Sequence, residues 1–326
     1  MKVLNTLKNN RALMLAVVIA LLYIIFSLVF TERFFRVENF LLIILNMSVE
    51  IPIVLGICML LLMREIDLSL GASMVLGAML CGMFMLTMNL PLGLTLVLCV
   101  VIAAIVGLVN GLIVSYTKAP AFIATLAMSR IIMGIAIMVA GTGYSDYRDP
   151  VFQFLGTYRI FGYIQMPIIY TFGFALIFAV LTNRHSFFRR LYFIGGNAKS
   201  SELSGIKVNR TRIVVFVIAA VLASLCGIIS AMRFNSSMTT VGAGVELRAV
   251  TACVVGGVSF TGGKGTIIGA IMGALLIASI NNILTMFQIN PDLQFVATGI
   301  ILIMAILLDS AVQSKKIDRK ELVVAE

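Results

Sequence analysis

The sequence contains no tryptophan, one histidine, six prolines and 12% charged residues in a chain of 326. Soluble domains carry roughly 25% charged residues, so water is not the main solvent of this chain. The single histidine, His185, follows Arg184 and reads as a solvated interfacial residue. An intramembrane protease needs a Ser and His within the membrane or a pair of Asp residues, and neither arrangement occurs. The five cysteines (Cys58, Cys81, Cys99, Cys226, Cys253) all fall in apolar runs at spacings that match no metal motif. They read as small hydrophobic residues, and neither disulfides nor zinc are expected.

Apolar length is what the sequence has in abundance. Hydrophobic residues make up 61% of the chain and the mean hydropathy is +1.10. About 20 apolar residues cross a hydrocarbon core of roughly 30 Å. Ten runs of that kind can be drawn, at 12–30, 40–63, 69–88, 92–116, 121–141, 166–182, 213–231, 245–261, 265–286 and 292–309. The first follows Lys2, Lys8 and Arg11 but ends in Val29-Phe30-Thr31-Glu32 with no small-residue cleavage site, so it reads as an uncleaved helix. The expectation is an all-α integral membrane protein of about ten transmembrane helices, a single membrane domain over 1–326.

The net charge of +10 is distributed as membrane topology requires rather than as a nucleic-acid surface. With the amino terminus inside, seventeen Lys and Arg residues lie in inner segments, six in outer ones, and Arg130 within a span. Both termini, including the tail 310–326, are therefore expected on the cytoplasmic side. The outer segment from Gly141 to Gln165 is rich in turn formers. The inner loop 183–212 carries seven basic residues and one acid, Glu202. Within it Gly195-Gly196 breaks a helix, Asn197 can cap a new one and Gly205 can end it, which predicts a two-turn helix outside the membrane, suited to docking.

Several polar features need an account. The segment GVSFTGGKGT at Gly257–Thr266 is superficially like a phosphate loop, but Ser259 stands where a glycine is required and Gly265 where a hydroxyl is. It predicts a tight inner hairpin and no ATP site. Gly265, Gly269 and Gly273 follow at four-residue spacing, the pattern of close helix packing. Asp67–Gly71 before Gly77-Ala78 weakly echoes Val258–Gly263 before Gly273-Ala274, so an internal duplication is one reading and chance another. Ionisable groups inside a bilayer pair or face a cavity. Glu50 and Arg130 are accordingly candidates either for an ion pair between the second and fifth spans or for a solute path. Arg64, Glu65 and Asp67 interrupt an apolar stretch after Pro52, as a plain turn or as part of a path. Asn46, Asn110, Asn281 and Asn282 are candidates for solute hydroxyls or for interhelical hydrogen bonds.

Four motifs in order carry a resemblance: IDLSLGASMVLGA at Ile66–Ala78, GLVNGLIV at Gly107–Val114, GGNAKSSELSGIKV at Gly195–Val208, and VVGGVSFTGGKGTIIGAIMGALLI at Val254–Ile277. The sequence from about Val49 to Asp309 resembles the ribose-type permeases of bacterial ABC importers. That resemblance implies a ten-helix type II importer fold in the inner membrane and a second permease subunit, identical or different. It also implies a cytoplasmic ATPase that holds ATP and magnesium, and a periplasmic or lipid-anchored solute-binding protein. The inner loop then supplies the coupling helix at Asn197, Ala198, Ser201, Glu202, Leu203, Ser204, Gly205 and Ile206, with Leu203 and Ile206 in apolar contact with the ATPase. Two departures stand out: Arg64-Glu65 where paired glycines are usual, and AKSSE at 198–202 where small residues are usual. A sugar is expected over a nucleoside, because a nucleoside site calls for aromatic stacking surface. The other classes are an ion-coupled transporter using the Glu50 carboxylate and a membrane subunit with no transport role.

Overall fold

In lipid, backbone polar groups must be satisfied within the chain, and helices do this segment by segment. The computed structural model describes residues 11–29, 34–117, 119–141, 143–290 and 292–307, and its backbone is helical almost throughout. The expected inner tail 310–326 and the basic residues Lys2 and Lys8 lie outside the described residues. The helices are α1 (Arg11–Val29), α2 (Val37–Leu62), α3 (Leu70–Gly82, continued by a π turn over Met83–Thr87), α4 (Leu92–Tyr116), α5 (Ala121–Ala140), α6 (Pro150–Thr157) and α7 (Met166–Arg184). They continue with α8 (Ser186–Gly196), α9 (Ala198–Leu203), α10 (Val208–Phe234), α11 (Val245–Val255), α12 (Ile267–Met286) and α13 (Asp292–Leu307).

Among the described residues, α2, α3 with its π turn, α4, α5, α10 and α12 are long and apolar enough to cross a membrane, and α7 with α8, bent by 71°, forms a seventh crossing if the pair is one span. The chain is a multi-pass membrane protein. α1 and α13 are apolar over shorter stretches, Leu13–Leu28 and Asp292–Leu307. One expected span is corrected. The run 245–261 is not a crossing helix, because α11 has only 11 residues, about 16 Å at 1.5 Å per residue. Hydropathy joined α11 to the apolar hairpin that follows it.

Two helices form the centre. From Met47 to Leu62 almost every side chain of α2 is buried, and the helix runs on through Pro52. α10 packs against α2, α3 and α4. It approaches closely because the opposing positions are small: Gly107 and Gly111 of α4 lie against the α10 backbone at Phe216 and Ile213, and Gly56 of α2 against Ala219. α11 and α12 close up in the same way, with Gly269 against Gly256 and Gly273 against Ala252. The expected packing stripe on α12 thus meets α11.

The two ends of the bundle differ. At one end lie α9, the hairpin 256–266 and the end of α2, joined where Gly263 N donates to Leu62 O at 2.9 Å. The hairpin is tight, with Gly257, Gly262, Gly263 and Gly265 all at positive φ. At the opposite end, the segment after α5 is ordered by a two-residue antiparallel ladder, β1 (Tyr144–Ser145) with β4 (Ser236–Ser237), and by α6, whose first turn is capped by Asp149. A second short pair, β2 (Arg159–Ile160) with β3 (Ile164–Gln165), precedes α7. Buried Tyr147 shares a 2.6 Å hydrogen bond with Ser237 Oγ, which donates to Ala78 O at 2.8 Å, fixing this segment to α3.

Candidate functional site

After α10 the chain turns back beside α3: Ser237 bonds Ala78, and Gly242 lies against Gly71. α11 therefore begins deep in the bundle, with Gly244 in the left-handed conformation just before it. Irregular backbone at such depth is tolerated only where protein or a cavity surrounds it, and two recesses flank the first turn of α11.

The larger recess, about 410 Å³, lies between α2, α10, α12 and α13, within the size range of small-molecule sites. Its walls are apolar (Leu42, Met47, Met74, Ile277, Phe295) and carry amides and hydroxyls from Asn46, Ser230, Asn281, Asn282, Thr285, Gln294 and Thr298. Its charges are engaged. Glu50 Oε1 accepts from Arg248 Nη2 at 2.8 Å and Nε at 3.2 Å, while Arg248 Nη1 donates to Ala243 O at 3.0 Å. Arg233 Nη2 donates to Asn46 Oδ1 at 2.7 Å. Asn282 is buried and donates to Asn39 Oδ1 at 3.0 Å, but its own Oδ1 has no partner. A buried amide oxygen left without a donor costs about 1–3 kcal/mol, a cost that Asn282 bears beside the recess.

The smaller recess, about 290 Å³, lies between α3, α5 and α11 and contains Ser129, Arg130 and Glu246. Gly242, Ala243 and Gly244 line it, while Val241 and Arg248 line the larger one, so the start of α11 divides the two.

At the α9 end the expected cap is present: Asn197 Oδ1 accepts from Ser200 N at 2.9 Å, α9 runs for six residues, and Gly205 ends it at φ +83°. Leu203 is 84% exposed, whereas Ser201 is buried and Ala198 and Ile206 pack back on the core. Of the two apolar residues expected to face outward, only Leu203 does so. α9 is tied to the membrane helices through Gly195, where an added Cβ would strike Leu62 O and Gly263 N, and through Tyr192 Oη, which donates to Gly265 O at 3.1 Å. The unusual Arg64-Glu65 is also resolved here. Arg64 takes φ +65°, a conformation glycine reaches at no steric cost, and Glu65 pairs with Arg212 Nε at 2.7 Å at the start of α10. Burial raises the Glu65 carboxyl above its ordinary range, and Arg212 pulls it part of the way back.

The family model for the branched-chain amino acid transport system / permease component matches residues 39–306, which includes every helix from α3 to α12 and nearly all of α2 and α13. The chain belongs to this permease family. It is a transport component and not an enzyme. The ribose import permease protein RbsC of Haemophilus influenzae is 34% identical to it over 291 residues, 87% of this chain and 88% of that protein. The D-allose transport system permease protein AlsC of Escherichia coli is 33% identical over 294 residues, 90% and 89% of the two chains. The galactose/methyl galactoside import permease protein MglC of Haemophilus influenzae is 30% identical over 300 residues, 87% and 89%.

The sequence-selected residues of this permease divide cleanly. Asn46, Glu50, Asn281 and Asn282 meet in the larger recess. Asp67 and Asn110 do not reach it. They form a buried knot in which Asp67 Oδ1 accepts from Ser69 N at 2.8 Å and Ser69 Oγ at 2.6 Å, and Asn110 Nδ2 donates to Ser69 Oγ at 2.8 Å and Asp67 Oδ2 at 3.3 Å. The expected Glu50–Arg130 pair is wrong: Glu50 pairs with Arg248, and Arg130 lies on α5 in the other recess. Arg248 is the fourth residue of the short α11, which carries it in to Glu50. Sequence reasoning also passed over Arg233, Glu246, Thr285, Gln294 and Thr298. The one signal for a break before α11 was Gly242-Ala243-Gly244.

Proposed function

We propose that this permease is the transmembrane subunit of an ATP-driven ABC importer of the type II arrangement, moving a sugar or sugar-like solute across the bacterial inner membrane. The observation that carries this reading is the lining of the larger recess. Its Glu50 and Arg248 charges are paired, Arg233 is hydrogen-bonded to the Asn46 amide, and the rest of the lining offers amides and hydroxyls on apolar walls. Such a surface matches a neutral polyhydroxylated molecule. The relatives named for ribose, allose and galactose import support the same class.

The path runs from the larger recess past the first turn of α11 to the α9 end, with both termini on the cytoplasmic side. A cytoplasmic ATPase, which holds ATP and magnesium, docks on α9 through Leu203, Glu202 and the exposed end of the turn, and Gly195 passes its movement to α2 and the hairpin. A second permease subunit and a periplasmic or lipid-anchored solute-binding protein complete the assembly. Transport requires that the outward and inward states differ in solute affinity, because a ligand bound equally by both shifts nothing. The ion-coupled alternative loses its candidate carrier, since the Glu50 carboxylate is engaged by Arg248.

Uptake of labelled pentoses, hexoses and nucleosides by cells expressing the full assembly tests this reading. One sugar should enter in wild type, with uptake cut about tenfold by Asn282→Leu if the lost hydrogen bond is worth about 1.4 kcal/mol. Nucleoside uptake in place of sugar uptake would contradict it.

A further inference from the structure

On α7 the side chains of Leu176, Ile177, Val180 and Leu181 are exposed. Their spacing puts them on one side of the helix, and the same side ends in Arg184, its last residue. The chain then bends by 71° into α8. Packing holds the bend: Phe188 meets Phe178 of α7 edge to face at 6.1 Å, and His185 Nδ1 accepts from Phe187 N at 3.2 Å. The two faces of α8 differ. Phe188, Leu191, Ile194 and Gly195 are buried, while Arg189, Arg190 and Phe193 are exposed. Among the described residues Arg184, Arg189 and Arg190 form neither an ion pair nor a hydrogen bond. The carboxylates of this end are elsewhere, Glu65 on Arg212 and Glu202 on α9. An open apolar stripe thus runs into three uncompensated guanidinium groups.

We propose that the exposed side of the α7–α8 bend is a binding site for an anionic phospholipid, its acyl chain along the α7 stripe and its phosphate among Arg184, Arg189 and Arg190. Guanidinium forks match phosphate oxygens in geometry and charge, and an exposed aromatic such as Phe193 suits the level of the headgroups. Charge complementarity selects an anionic headgroup over a zwitterionic one, whose ammonium the arginines repel. The stripe selects a lipid over free phosphate. It also continues into the crossing part of α7, beyond the reach of a cytoplasmic protein, so one ligand with a charged head and an apolar chain accounts for both halves. A bound headgroup bears on α8, the helix that ties α9 to the bundle through Gly195. The site is independent of which solute is moved.

Native mass spectrometry of the full chain, released from mild detergent and titrated with lipid, counts bound molecules directly. The probes are phosphatidylglycerol, phosphatidylcholine with the same acyl chains, and glycerol phosphate as the headgroup alone. Wild type should hold its first phosphatidylglycerol about tenfold or more tighter than phosphatidylcholine, and glycerol phosphate at about a hundredfold excess should not displace it. Arg184→Gln, Arg189→Gln and Arg190→Gln should each weaken binding about fivefold, and the triple replacement about a hundredfold. Lys199→Gln with Lys207→Gln, exposed on the same loop but away from the bend, should stay within about twofold of wild type. If the triple variant does not fold, judged by protection of its buried cysteines, the single replacements carry the test. Equal retention of the two lipids by wild type, displacement by glycerol phosphate, or an equal fall in the lysine variant overturns the site. So does a triple variant that keeps its phosphatidylglycerol, and if that variant also fails to co-purify with the ATPase, the face is a protein contact instead.

Discussion

Replacing Glu50 by Gln leaves the Arg248 guanidinium without its counterion at the base of the larger recess. Arg248 is 19% exposed and Glu50 30%, and the guanidinium reaches one carboxylate oxygen with two nitrogens at 2.8 and 3.2 Å. Exposed pairs are worth about 0.2–1 kcal/mol, and breaking a fully buried pair costs about 3–5 kcal/mol. This pair lies between those limits, so either Glu50→Gln or Arg248→Met should cost about 2 kcal/mol, and the double replacement less than the sum by about 1–2 kcal/mol. The same cycle between Glu50 and Arg130 should give a coupling near zero, because Arg130 lies in the other recess. All five cysteines are buried, so a thiol-reactive dye added during an SDS titration from mild detergent reports unfolding without labelling the folded state. A coupling under about 0.3 kcal/mol with Arg248, or one over about 1 kcal/mol with Arg130, would refute the assignment.

Two further perturbations probe the α9 end. Arg64→Gly relieves a left-handed conformation that costs an L-residue about 1–2 kcal/mol, offset by glycine's greater unfolded-state entropy. The variant should be within about 1 kcal/mol of wild type or more stable, read in the same titration, whereas Arg64→Val should be clearly less stable. Gly195→Val places a side chain where Leu62 O and Gly263 N already stand. It should cost at least about 1–3 kcal/mol and disturb coupling even where the chain folds, while Gly196→Ala, with open space around it, should be close to neutral.

The parts of the molecule that the sequence made legible are those marked by local punctuation. α9 could be bounded within a residue or so because glycines, an asparagine cap and a terminal glycine have meanings that do not depend on the rest of the fold. The hairpin at 256–266 was legible for the same reason. The asparagines of the recess could be picked out as amides in apolar runs, but not told apart: Asn281 and Asn282 line the cavity, whereas Asn110 ties Asp67 to Ser69, and only the direction in which each helix faces decides. The ion-pair partner of Glu50 was out of reach, since hydropathy counts apolar length and is blind to a helix that starts half-way through the bundle. The strain at Arg64 was half visible, as a departure from paired glycines whose backbone meaning appears only with its φ angle.

The central claim is that α9 couples this permease to an ATP-hydrolysing partner. The most direct measurement is co-purification of the chain with the ATPase of its own assembly, followed by ATP hydrolysis and solute uptake in lipid vesicles, for wild type and for Glu202→Arg and Gly205→Pro. The account predicts a stable complex in wild type. In the variants uptake should be lost, or lost together with stimulation of hydrolysis, while the cysteines stay protected and the fold intact. Uptake that proceeds without ATP, or in a chain that binds no ATPase, would contradict it and return Glu50 to consideration as an ion carrier.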